Sequence, residues 1–98
     1  MQSRYWVVQM TTTFPSFDRV RVEAPDLMAA HIARSRELHA QGVLLMGGAF
    51  LEPPDRPVQT MGVLTSREAA EAYAREDPFV VAGHVAEWTV REWANMFA

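Results

Sequence analysis

Three histidines and a scatter of carboxylates hold most of the acid–base chemistry open to this chain, which has no cysteine. That absence excludes a thiolate nucleophile, thiolate metal ligands and disulfides. Imidazole titrates closest to neutrality, so the histidines come first. His31 falls in the series Leu27, His31, Arg34 and Leu38, spaced i, i+4, i+7 and i+11, with Met28, Ile32 and Ser35 beside it. That period is one helical stripe facing a sheet. A histidine there can act as a general base or acid, desolvated enough for its proton affinity to be tuned. It can equally be a buried ring satisfied by a backbone carbonyl. As a catalyst it would line a cavity between helix and sheet, with one ring nitrogen facing open space.

His39 lies eight positions on, about 12 Å along a helix, too far to share a metal ion with His31 at about 2 Å. It reads as a complement to the negative end of the helix dipole. His84 reads as a solvated residue at a strand start. No spacing resembles a metal site. Asp77 opens Asp77-Pro78-Phe79-Val80-Val81-Ala82-Gly83, where it can cap a short turn with Pro78 in the first helical position. The same carboxylate can instead orient a histidine, as the third member of a triad does. Ser35, one turn after His31, would face the same interface or bond back to the carbonyl four residues earlier. Gly47-Gly48 either admits a ligand to bare backbone or marks a bulge that curves the sheet. No phosphate-loop spacing is present. Glu52 and Asp55 read as loop charges.

These residues need elements to position them. Tyr5 to Thr12 alternates as a first strand, followed by a loop over Phe14 to Val22 with an extended piece at Arg19 to Val22. Pro25 opens a helix with Asp26 in its first turn, and Gly42 is its left-handed cap. Val43 to Phe50 is a second strand, Leu51 to Pro57 a proline-stiffened connection, and Val58 to Leu64 a third strand. Thr65-Ser66-Arg67-Glu68 reads as a capping box in which Thr65 caps, opening a helix over Ser66 to Glu76. Phe79 to Ala82 is no more than a turn, ended by Gly83. His84 to Trp93 alternates as a fourth strand.

The order βαββαβ is the ferredoxin-like, split-βαβ arrangement, an α+β fold with an antiparallel sheet and two helices on one face. The first two strands are apolar on both faces, and an apolar face left wet is a liability. A second copy of the chain is the simplest cover, with sheets packed face to face. Ninety-eight residues fit one domain, 1–98. The 49% hydrophobic content is globular. A net charge of −3 without a basic stripe argues against nucleic acid. No apolar run approaches the roughly 20 residues that span a bilayer. The first residues lack a signal-peptide pattern, and the lack of disulfides points to the cytoplasm.

His31-Ile32-Ala33-Arg34, Leu38 and Gly42-Val43-Leu44-Leu45-Met46-Gly47-Gly48 together resemble the first signature of the YCII-related family. Glu76-Asp77-Pro78-Phe79-Val80-Val81-Ala82-Gly83 resembles its Asp-Pro-aromatic motif, and the ending with Trp93 and Phe97 also fits. The resemblance implies a dimeric α/β barrel similar in fold to muconolactone isomerases, with a histidine–aspartate pair that carries over to His31 and Asp77. It also implies relatives that eliminate chloride from chlorinated ring compounds. Two positions depart from the family's pattern. Met28 stands where many relatives have an arginine, one turn before the histidine. Gly48-Ala49 stands where many have Gly-Pro. Arg34 either replaces the missing anion anchor or is a solvated edge residue.

The expected function is therefore a cofactor-free lyase or isomerase acting on a small cyclic or unsaturated acid. His31 and Asp77 would be catalytic, and Arg34, Ser35, Gly47 and Gly48 would contact the ligand. The competing expectation is a non-catalytic dimer that binds a small ligand or a partner domain.

Overall fold

A computed structural model describes residues 3–54 and 56–97; Asp55, read above as a loop charge, lies outside them. The elements are β1 (Arg4–Thr12), α1 (Phe17–Glu23), α2 (Pro25–Ala40), β2 (Leu44–Ala49), β3 (Gln59–Leu64), α3 (Arg67–Arg75), α4 (Pro78–Val81) and β4 (Val85–Ala94). The strands form one antiparallel sheet in the order β2-β3-β1-β4. This is the ferredoxin-like α+β architecture.

The register separates the two faces. Val8 pairs with Gly62 and Val90, and Met10 with Thr60 and Trp88. These positions face the helices, where Val8, Met10, Leu44 and Leu64 pack with Ala70, Tyr73 and Ala74 of α3. The two buried alanines let α3 lie close to the sheet. On the opposite face Val7 pairs with Val63 and Arg91, and Tyr5 with Trp93.

Helix α2 behaves differently. Its stripe faces inward as expected, yet none of its residues is fully buried. Leu38 packs against the first core cluster. Leu27 and Met28 pack against a second, made of Phe14, Val20, Ala24, Val58 and Phe79. The stripe is held at its two ends, and its middle stands over a cavity. Ile32, expected beside that stripe, is an exposed residue at the cavity's edge.

Three local expectations are corrected. The segment Arg19 to Val22 is helical, not extended. Ser16 caps α1 by accepting from Arg19 N–H at 3.2 Å, and Arg19–Glu23 and Arg21–Asp18 pairs bridge successive turns. The cap of α3 is Ser66, which accepts from Ala69 N–H at 3.1 Å. Thr65 instead donates its N–H to the Val43 carbonyl, extending the strand layer by one bond. With Ser66 as the cap, Glu68 lies one position short of a reciprocal box. The β2–β3 irregularity falls between Leu44 and Met46, ahead of the glycine pair.

Gly42 closes α2 at φ +75. The N–H groups of Gly42 and Val43 return to the carbonyls of His39 and Leu38, which is the glycine-terminated ending expected of it. No helix among the described residues is long and apolar enough to cross a membrane.

Candidate active site

Between α2 and the sheet lies a cavity of about 620 Å³, within the usual size of small-molecule sites. His31 and Ser35 of α2, Tyr73 of α3 and Asp77 before α4 line it, with Met10, Met28 and Phe79 among its apolar walls.

Asp77 is 1% exposed, among the most buried side chains in the described residues. Pro78 at the start of α4 puts the preceding residue in an extended conformation, which turns the Asp77 carboxylate back over its own helix. Oδ2 accepts the Phe79 N–H at 3.0 Å. Oδ1 accepts from Nδ1 of His31, forty-six residues away in sequence. The two readings of Asp77, cap and histidine partner, therefore describe two oxygens of one carboxylate. Both acceptors are engaged, which offsets the cost of burying the group.

The bond from Nδ1 sets the tautomer of the neutral imidazole, since a carboxylate oxygen can only accept. Nε2 then carries the lone pair. It makes no hydrogen bond among the described residues, and the ring lines the cavity with the side chain 22% exposed. The Phe79 ring stands edge-on at 5.7 Å and the Tyr73 ring lies at 6.4 Å. These walls restrict the imidazole to one orientation.

Ser35 Oγ pairs with the Tyr73 hydroxyl at 3.2 Å, so it looks across to α3. Burial is the main cause that pushes the Tyr73 phenol above its ordinary pKa of 10.0; Asp77 adds to the shift, while Ser35 and Arg34 oppose it. The phenol is thus a proton-bearing donor at neutral pH. Gly47 and Gly48 both line the cavity wall. A side chain built on Gly48 would meet nothing within 4 Å, so bare backbone borders open space there.

Arg34 does not join this group. Its guanidinium donates to the carbonyls of Tyr73 at 3.0 Å and Ala72 at 3.1 Å, and it lies 5.3 Å from the centre of the Tyr73 ring. The negative end of the α3 dipole attracts such a cation, although the Ala72 carbonyl also accepts the Glu76 N–H. Arg34 thereby acts as a clamp on α3, in place of an anion anchor within the cavity. His39 does line the cavity, with Nδ1 donating to the Leu44 carbonyl at 2.8 Å. Arg36 lines it as well. His84 is half-buried at the start of β4, its ring 5.0 Å from that of Phe14.

Sequence reasoning passed over Tyr73, which reads as an ordinary residue of an alanine-rich helix. The available signal was Gly62 on β3, where a side chain would come within 3.4 Å of the Tyr73 ring. Glycine in a strand often marks such an approach.

Residues 17–94 match the YCII-related domain. The chain belongs to the YCII-related family. No curated protein matches it, but solved structures do. One is a 5-chloro-2-hydroxyhydroquinone dehydrochlorinase from Burkholderia phenoliruptrix, in complex with 2,5-dihydroxybenzoquinone. It has 22% identity and a TM-score of 0.63, with 91% of this chain and 92% of that one covered. A dimeric ferredoxin-like protein from an uncultured marine organism has 11% identity and a TM-score of 0.57, with 99% of each chain covered. A cofactor-independent oxygenase from Streptomyces nogalater has 12% identity and a TM-score of 0.50, with 100% of this chain and 97% of that one covered. These likenesses establish the fold that this YCII-related chain shares with them.

Proposed function

We propose that this YCII-related protein is a lyase or isomerase that moves a proton on a small cyclic or unsaturated acid, using side chains alone. The observation that carries the reading is the buried Asp77 carboxylate, whose one oxygen is tied to the Phe79 N–H and the other to His31 Nδ1. That arrangement leaves the lone pair on Nε2 of a ring that lines the cavity, and in this reading Nε2 is the base.

In the proposed step Nε2 takes a proton from a carbon next to a carbonyl. The C–H electron pair becomes a C=C bond, and the carbonyl π pair moves onto oxygen. Return of the proton at a conjugated carbon completes an isomerisation. Collapse of the oxygen's electron pair with departure of an anion from the adjacent carbon completes an elimination. The imidazolium formed meanwhile is stabilised by Asp77, which stays a hydrogen-bond acceptor throughout. Arg36 supplies a cationic group on the same wall for a substrate acid, on the turn of α2 after His31.

The likeness to the dehydrochlorinase in complex with 2,5-dihydroxybenzoquinone guides the choice of compounds. Chlorinated hydroxyhydroquinones and unsaturated lactones are incubated with the protein in deuterated solvent. Chloride release, ultraviolet change and deuterium uptake are followed. At least one compound should react, with His31→Gln lowering kcat/KM by about 10²–10⁴-fold. A wild-type protein that gives none of the three signals across the panel overturns the reading.

The same reading includes a homodimer formed through the uncovered sheet face. A groove of about 540 Å³ runs over that face, lined by Tyr5, Val7, Met61, Val63 and Trp93 among others. Trp93 is 50% exposed and Met46 62%, an apolar area that a second copy of the chain would cover.

A further inference from the structure

We infer that the Tyr73–Ser35 hydroxyl pair is the oxygen-binding half of the site, and that the substrate is a single-ring enone, enol or vinylogous acid whose oxygen sits on that pair. The inference rests on the proton-transfer reading of His31 for its chemistry, but the pair's capacity to hold an anionic oxygen is measurable separately.

Two hydroxyls 3.2 Å apart share one hydrogen bond, and either oxygen can be its donor. Whichever direction it runs, one hydroxyl proton is left over. Neither hydroxyl makes another bond among the described residues, and both residues line the cavity. The pair is part-buried on the cavity wall, so the spare proton is offered to whatever occupies the cavity, and a ligand oxygen is the acceptor that this position fits.

Position supports the same assignment. Tyr73 is only 6% exposed, its ring seated over Gly62 on β3. Arg34 holds the backbone carbonyls of Tyr73 and Ala72. The phenol is therefore fixed before any ligand arrives, as effective electrostatic stabilisation requires. Ring centres of His31 and Tyr73 are 6.4 Å apart, close enough for one small ring to meet both side chains. A longer molecule would be driven towards Arg36 and His39.

Of the two charges beside Tyr73, Asp77 opposes an anion more than Arg34 favours one. The hydroxyl proton, not net charge, is therefore what holds a ligand oxygen there. In the step, the carbonyl oxygen gains the π electron pair as Nε2 takes the proton, and the spare hydroxyl proton hydrogen-bonds to it without being transferred.

The probe is 4-nitrophenol, whose phenolate has its own visible absorption. It is titrated into wild type, Tyr73→Phe, Ser35→Ala and His31→Gln. Wild type should bind the phenolate with a shifted absorption maximum. Tyr73→Phe keeps the packed ring and should weaken phenolate binding about tenfold or more, as loss of a hydrogen bond to a charged group does. It should also abolish the spectral shift, which a change in packing alone would not. Ser35→Ala should weaken binding by a smaller factor, since Tyr73 can then donate directly. Absence of phenolate binding in wild type, or Tyr73→Phe binding with wild-type affinity and spectrum, overturns the inference. The His31→Gln variant separates the two readings. If it keeps turnover while Tyr73→Phe loses phenolate binding, the proton-transfer reading falls and the oxygen site stands.

Discussion

Asp77 illustrates how much one side chain can be asked to do. Its carboxylate offers two acceptors to two donors, His31 Nδ1–H and Phe79 N–H. Asparagine offers one acceptor and an NH2 group, so Asp77→Asn can serve either partner but not both. If its oxygen keeps the Phe79 cap, the NH2 faces His31, and the ring must move its proton to Nε2. The base is then lost. Turnover should fall by about 10²–10⁴-fold, while stability changes little, because the NH2 then donates to the Nδ1 lone pair. A ¹⁵N spectrum of the imidazole should show the proton on Nδ1 in wild type and on Nε2 in the variant. An unchanged tautomer with unchanged turnover would end the pairing of His31 with Asp77 as a functional unit.

At the scale of elements, the site exists because two helices on one sheet pack by different rules. α3 presents Ala70 and Ala74 to the strands and lies close. α2 is pinned at Leu27–Met28 and at Leu38, leaving its middle raised over the cavity. The start of α3 is set by Ser66, whose oxygen accepts from Ala69 N–H. Ser66→Ala should cost about 1 kcal/mol in a denaturant midpoint experiment. Loss of the cap would also loosen the helix that carries Tyr73, so phenolate affinity should drop in parallel. A variant as stable as wild type would mean that another group caps the helix.

For the whole molecule, the proposed assembly rests on the uncovered sheet face. Val7 sits at the middle of β1 on that face, opposite Val63 and Arg91. Val7→Asp would place a carboxylate between the proposed subunits, where even with Arg91 beside it the pair must be desolvated, at a cost of several kcal/mol per ion. Sedimentation should show a wild-type dimer at micromolar concentration and a monomeric variant. A wild-type monomer at that concentration would remove the proposed interface.

Much of this protein was legible in residue order. The alternation of β1, the Pro25 entry and Gly42 exit of α2, and the Asp77-Pro78 break are short-range patterns, set by local sterics and hydrogen bonding. They were enough to read the element order and the ferredoxin-like sheet. The helical stripe likewise pointed His31 inward. Local signals also misled where two candidates competed, as with Thr65 and Ser66 for one cap, or where a short helix followed a proline, as at Phe17–Glu23. Tertiary structure alone decided the rest. The bond between His31 and Asp77 spans forty-six residues, and that between Ser35 and Tyr73 spans thirty-eight. Arg34 was turned to α3 by carbonyls that belong to another element. Such contacts depend on how far each helix stands from the sheet, a distance set by the packing of both clusters and encoded at no single position.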